Sequence, residues 1–484
     1  MEKKQPLFKD YEKNVKYMRE RLGADESFDV IHLDLVYAGR GMSLFMVDGF
    51  VKDDILHYLM KLLSRLEKDQ LDPDPLTKLL QTHLPYIELD KQDDMNKAAD
   101  NILAGPTALV VEGMTEIIMI DARTYPVRSP QEPDIERVVR GARDGFVETI
   151  VFNTALTRRR IRDRSLRMEY TQIGRRSQTD VCLCYLKDIA DPDRILHLRR
   201  VLSEIDTDAL PMAEKTIEEY ISGQHWNPYP VIRYTERPDT AAAHLYEGHI
   251  LIIVDGSPSV MITPATFWHH LQHAEEYRQK PVVGAYLRLV RFLGFFASIF
   301  VLPLYFLLSM QPDLLPEAIQ FIGPEEAGVL PLLLQFLIAE IGIDMLRMAA
   351  IHTPSSLATA LGLVAAILIG QVAVEVGLFS IEVVLYLSLA AIGTFATPSY
   401  EMGLADRLSR LALLLITGFF GVKGYVVGVT FWLLYLTRMQ TFKIPYLWPF
   451  LPFSWKPLRD VLIRSPIPLK NRRPAFLHPK DPDR

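Results

Sequence analysis

Cysteine is almost absent: Cys182 and Cys184 are the only two in 484 residues, which rules out a disulfide framework as the source of stability. Their i, i+2 spacing puts both on one face of a predicted strand. A metal site would need more ligands nearby, so they read as reduced core thiols. Also missing are a Gly-rich phosphate loop ending in Gly-Lys-Ser/Thr, a Gly-x-Ser-x-Gly elbow and a His-Glu-x-x-His pair. Neither an enzyme nor a resident cofactor is therefore expected. The one metal-like cluster, Trp268-His269-His270-Leu271-Gln272-His273, has His269 and His270 pointing apart on a helix; a juxtamembrane helix with Trp268 and Tyr277 at the water interface is the expected explanation. The start, Met1–Tyr11, is charged and has no apolar core, so no cleavable signal is expected.

Charge is unevenly missing as well. The loop Gln311–Gly328 has Asp313, Glu317, Glu325 and Glu326 but no Lys or Arg, whereas Thr437–Arg484 carries ten basic residues against three acids. By the positive-inside bias the loop lies outside and the tail inside, with the large N-terminal part in the cytoplasm. Between Ala285 and Leu436 the chain is mostly apolar yet retains Glu340, Asp344, Gln371, Glu375, Glu382 and Lys423. An ionisable group at a membrane-helix centre costs roughly 2.5–3.5 kcal/mol on insertion scales, so such residues usually mark an ion or substrate path.

Five apolar segments stand out: Leu287–Met310, Val329–Ala350, Leu357–Phe379, Ile381–Thr397 and Leu408–Leu436. Five crossings would put the basic tail outside, so one segment must be re-entrant or double. The last is the best candidate, because Gly418, Gly421, Gly424 and Gly428 surround Lys423. In the second, Glu340, Asp344 and Arg347 share a helical stripe and can neutralise one another as a salt-bridge network. Gln371 and Glu375 share a face, with Glu382 a short turn later, as in acidic mouths that concentrate cations. Val384, Ser388, Ala391 and Phe395 form a stripe that would suit either a pore lining or plain helix packing. A ring of subunits, each giving one helix, is the economical pore. After Leu436 come Phe442, Tyr446, Trp448, Phe450, Phe453 and Trp455 among prolines, an interfacial belt rather than a span.

The soluble half repeats a pattern. Ala98–Gly105 with Ala108–Val111 and Glu112-Gly113 resembles Ala241–Gly248 with Ile250–Val254 and Asp255-Gly256, and Asp54–His57 resembles Arg194–His197. Each copy reads as a strand, helices, then a hairpin with Glu-Gly or Asp-Gly at its turn. The expected architecture is thus an N-terminal segment (1–27), two tandem, duplicated cytoplasmic α/β subdomains (28–135 and 136–275), a polytopic α-helical membrane domain (285–436), and an interfacial segment with a basic tail (437–484). Tyr125–Pro133 is the expected hinge. From Arg137 to Arg176 there are eleven Arg and no Lys. Arg favours bidentate contacts with carboxylates or phosphates, so Arg158, Arg159, Arg160, Arg175 and Arg176 are expected at a subunit boundary or on anionic lipid, with a solvated face as the alternative for Arg158–Arg164. Nucleic acid is not expected as a partner, since no recognisable binding motif is present.

Several motifs occur together in order. These are Gly145–Glu148, Asn153–Leu156, Arg158–Arg162, Ile173–Ser177, Asp188–Pro192, Tyr234–Asp239, Val254–Pro258, Pro264–Phe267 and Thr397–Glu401. The chain thereby resembles the A-subunit family of GerA-type spore germinant receptors over about Ile135–Pro452. Ile351–Pro354 and Pro445–Phe450 are most like its SpoVAF branch. The resemblance implies a multi-pass protein of the spore inner membrane, an oligomeric ion channel acting early in germination. It also implies as partners a transporter-like B subunit and a lipoprotein C subunit. Within one chain, a secondary transporter or a non-conducting scaffold are the competing readings; the missing repeat across Leu287–Leu436 weighs against the transporter.

Overall fold

The computed structural model describes residues 4–71, 74–80, 89–122, 136–312, 329–352, 362, 364 and 366–483. The expected hinge at Tyr125–Pro133, the acidic stretch of the loop, Thr353-Pro354 and the start of the third apolar segment lie outside them. The chain divides into two compact units. One holds residues 1–225, 232–264 and 467–484; the other holds 226–231 and 265–466.

The first unit contains two five-stranded antiparallel sheets. Strands β1 (Val30–Tyr37), β2 (Arg40–Val47), β3 (Leu89–Gln92), β4 (Thr107–Val111) and β5 (Ile117–Ile120) take the order β1-β2-β4-β5-β3. Strands β6 (Leu166–Ile173), β7 (Thr179–Leu186), β8 (Arg233–Thr235), β9 (Ile250–Val254) and β10 (Val260–Thr263) take the order β6-β7-β9-β10-β8. Position for position the two orders are the same, and Gly113 and Gly256 occupy the same turn with φ of 82° and 86°.

Period-two alternation builds the first core on both faces of its sheet. Phe45 and Val47 of β2 pack with Val15, Met18 and Leu22 of helix α1 (Tyr11–Leu22) and with Ala98, Ala99 and Ile102 of helix α3 (Met95–Leu103). Met42, Leu44 and Met46 face the other way, onto Leu59 and Leu63 of helix α2 (Asp53–Leu63). The N-terminal segment thus forms part of the first core. In the second sheet Cys182 and Cys184 are free and fully buried on one face of β7, beside Leu251 and Ile253. Helices α4 (Ile150–Arg160), α5 (Pro192–Glu204), α6 (Ala213–Ser222) and α7 (Pro238–Glu247) accompany this sheet. The end of the chain returns here: Arg194 of α5 donates to the carbonyls of Phe476 (2.8 Å) and Leu477 (3.0 Å), and Leu477 is fully buried.

The second unit is helical: α8 (Ala274–Arg278), α9 (Pro281–Met310), α10 (Leu332–His352), α11 (Ile381–Ala396), α12 (Tyr400–Arg438) and α13 (Trp455–Leu462), with a π-helical stretch Ala366–Val372 continuing to Glu375. Two of these, α9 and α12, are long and apolar enough to cross a membrane by length and composition. Helices α9 and α11 run antiparallel: the backbones meet at Gly294 and Gly393, where an added Cβ on Gly294 would lie 3.6 Å from Gly393 Cα, and Tyr305 stacks on Tyr386. Small residues permit such close backbone approach.

The last apolar segment begins earlier than expected, at Tyr400, and it is double. At Gly421 the backbone leaves the helical region (φ 58°, ψ −138°), a conformation that favours glycine. The chain then folds back: a Cβ on Gly428 would lie 2.7 Å from Leu413 Cδ2, and the Tyr229 hydroxyl joins Ser409 Oγ (2.7 Å) to Trp432 Nε1 (2.6 Å) across the two arms. We call the arms α12a, before Gly421, and α12b, after it.

Candidate functional site

The polar residues of the helical unit fall into two groups. The first is a buried ion-pair cluster between α10 and α12a. Asp344 and Arg347 pair at 2.8 Å as their i, i+3 spacing predicts, but Glu340 finds its partners seventy or so positions away. Arg410 is bidentate on Glu340 (2.6 and 3.0 Å) and also donates to the Ser298 carbonyl on α9 at 2.6 Å. Arg407 reaches both Glu340 (3.5 Å) and Asp344. Glu340 is fully buried and Arg410 only 1% exposed. The planar guanidinium suits this bidentate, desolvated role. The sequence signal for Arg407 and Arg410 was their i, i+3 spacing on an otherwise apolar segment, ahead of or just inside its assumed start at Leu408.

The second group lies at the turn between the π-helical stretch and α11. Gln371 Nε2 donates to Glu375 Oε1 at 3.3 Å, and both side chains are exposed. Ser380 precedes α11 and its amide donates to Gln335 Oε1 of α10 at 2.9 Å, fixing the turn. Glu382 then sits in the first turn of α11, where the helix dipole favours an anion; it is half-buried beside Tyr305. Further along α11, Val384 is half-buried against the core, Ser388 is exposed with its hydroxyl on the Val384 carbonyl (2.7 Å), Ala391 is half-buried and Phe395 exposed. Only Ser388 and Phe395 of the stripe thus face away from this chain's own helices, while Val384 packs partly against the core.

The aromatic belt divides. Trp268 is buried rather than interfacial, which corrects that expectation: it stacks on Phe450 with ring centroids 4.8 Å apart, in a turn (Phe267–Leu271) and not on a long helix. Tyr446 is fully buried and donates to the Pro230 carbonyl at 2.7 Å, whereas Phe453 and Trp455 are exposed. In the same region Arg288 and Glu276, both fully buried, pair at 2.7 Å, and Arg288 also donates to the carbonyls of Asp460 and Val461 at 2.8 Å.

In the α/β unit the arginine run joins the two sheets' subdomains. Arg158 is buried and bidentate on Asp29 (2.8 and 3.1 Å), with Ser27 alongside; for Arg158 this corrects both expectations, an external contact and a solvated face. Arg164 holds Asp100 (2.6 Å) and Arg167 holds Glu26 (2.7 Å), again from the second subdomain to the first. Arg160 pairs with Asp144 (2.7 Å) within its own subdomain. Arg159 is exposed, as are Arg175 and Arg176, which reach Asp206 (2.8 Å) and Asp208 (3.5 Å). The carboxylate partners that arginine was expected to seek are thus, for Arg158, Arg164 and Arg167, those of the first subdomain.

The sequence model of the Bacillus/Clostridium GerA spore germination protein family matches residues 16–476. Stage V sporulation protein AF of Bacillus subtilis is 48% identical over 99% of this chain and 97% of its own. Spore germination protein KA of the same organism is 28% identical over 94% and 82%. Among solved structures, the N-terminal domain of the A subunit of the Bacillus megaterium spore germinant receptor GerK3 is 27% identical with a TM-score of 0.44, covering 55% of this chain and 99% of that one. This chain belongs to the GerA family of spore germination proteins.

Proposed function

We propose that the chain is a subunit of an oligomeric cation channel in the inner membrane of spores, releasing monovalent cations early in germination. The observation that carries the reading is the partly exposed α11 stripe with acids at its head: Ser388 and Phe395 are left uncovered by the chain's own helices, and Glu375 and Glu382 flank the turn before it. The buried ion pairs around Glu340 tie α10 to α12a and, through the Ser298 carbonyl, to α9, which favours a path between copies over one inside a single chain.

Residues 467–484 pack within the α/β unit, so the chain enters and leaves the helical unit from one compact body. With the hairpin at Gly421, this supports an even number of crossings, with the α/β unit and the tail both in the spore core. The shared strand orders support an internal duplication. The named relatives act in germination or sporulation, and receptor B and C subunits are proposed partners on that footing. We assign the chain no enzymatic activity.

The test is potassium release from liposomes holding purified full-length protein. Val384→Ala is expected to leak, because narrow apolar necks close by dewetting. Glu375→Gln and Glu382→Gln are expected to lower flux at unchanged protein level and fold. Wild-type flux in all three would remove the pore assignment and leave helix packing as the account of the stripe.

A further inference from the structure

One buried acid takes no part in the ion-pair cluster's hydrogen bonds. Asp406 lies on α12a one helical turn before Arg410, is fully buried, and neither carboxylate oxygen has a hydrogen-bond partner among the described residues. Its near neighbours have hydroxyls, yet those with known partners are engaged elsewhere. The Tyr229 hydroxyl bridges Ser409 and Trp432, that of Tyr446 donates to the Pro230 carbonyl, and that of nearby Tyr435 donates to Asn227 Oδ1 at 2.7 Å. Burial pushes the Tyr229 and Tyr446 phenols up, so both stay protonated and neutral. Arg410, one turn further along the helix, carries a charge that acts on Asp406, but its guanidinium hydrogen-bonds to Glu340 and to the Ser298 carbonyl.

A buried carboxylate with no donor is unfavourable in its ionised form, and each such group calls for an explanation. Two considerations hold Asp406 between states. Ionised, it makes three acids (Glu340, Asp344, Asp406) against three arginines (Arg347, Arg407, Arg410), so the cluster as a whole is neutral. Protonated, it sheds the desolvation cost and leaves the cluster with one excess positive charge. A metal ion would need several oxygens turned toward it, and the hydroxyls here point to other partners. A proton needs only the carboxylate itself.

We propose that Asp406 is a proton-binding site within the helical unit, whose occupancy sets the net charge of the Glu340–Arg410 cluster. The groups that act on it are Tyr229 from residues 226–231, Tyr446 from the segment after α12 and Arg410 from its own helix, while Trp432 and Tyr435 of α12b lie beside Tyr229.

The experiment is infrared difference spectroscopy of the full-length protein in lipid vesicles, comparing alkaline with acidic buffer, in potassium and in choline chloride. A neutral-carboxyl stretch is expected in wild type, in the static or the difference spectrum, lost in Asp406→Asn and shifted in Asp406→Glu. The Glu variant keeps the assignment readable if the Asn variant does not fold. Identical carboxyl bands in wild type and both variants would overturn the proposal. So would a titration whose midpoint moves with potassium concentration, which would assign the site to a metal cation. Because no flux is measured, the outcome is independent of the channel reading.

Discussion

Replacing Arg410 by Met tests whether the buried cluster holds α10 to the hairpin. Glu340 has no solvent exposure, and removing Arg410 takes away both of its short hydrogen bonds, leaving Arg407 at 3.5 Å as its remaining cation. Breaking a buried pair from one side costs about 3–5 kcal/mol, because the partner charge stays behind in a low-dielectric site. At about 1.4 kcal/mol per factor of ten, that is a fall of roughly a hundredfold to several-thousandfold in the folded-to-unfolded ratio. Replacing both residues, Glu340→Met with Arg410→Met, removes the stranded charge as well, and swapping such pairs for apolar side chains is often neutral or better. The double variant should therefore recover to within about 1–2 kcal/mol of wild type, the shortfall being the lost contacts of Arg410 to the Ser298 carbonyl and of Arg407 to Glu340. The assay is denaturant or thermal unfolding of the full-length protein in detergent, read as a double-mutant cycle. A single variant as stable as wild type, or a double variant as unstable as the single, would refute the reasoning.

Arg158→Ala should cost about 3–5 kcal/mol through the stranded Asp29, whereas Arg175→Glu and Arg176→Glu should stay within about 0.5 kcal/mol because both are exposed; hydrogen exchange of β1–β2 and β6–β7 in the full chain separates the two outcomes. Hydrogen bonds first from Arg167 and then from Lys187 hold the Glu26 carboxyl down to about 2. Its folded value lies below the unfolded one of about 4.3, so its contribution is present above that pH and is lost as the pH falls toward about 2. Glu26 is half-exposed, so the effect is modest and salt-sensitive; Glu26→Gln should flatten acid unfolding over that window. Gly393→Ala should lower the melting temperature, since its Cβ would press on the Gly294 carbonyl and on Ser298 Cβ (3.1 Å); overpacking of this kind costs about 1–3 kcal/mol, and an unchanged melting temperature would count against the tight α9–α11 crossing.

Local features of the sequence were legible because they obey short periods. The shared face of Cys182 and Cys184 in β7, the Glu-Gly and Asp-Gly turns, the Asp344–Arg347 spacing and the glycines that break α12 all act within a few residues of chain. Even the doubling of the last segment followed from glycine's tolerance of positive φ together with the charge bias of the tail. What spacing could not supply was partner choice at long range. Arg158 sees Asp29, Arg410 sees Glu340 and Arg194 sees the tail carbonyls only because the fold brings them together, with no period linking them in sequence. The same limit explains Trp268, whose amphipathic ring suits an interface but is buried once Phe450 stacks on it. Asp406 marks the boundary most sharply. In the sequence it is one more acid near a helix start, and only tertiary packing, by burying it while turning every neighbouring hydroxyl with a known partner elsewhere, makes it a group whose charge is in question.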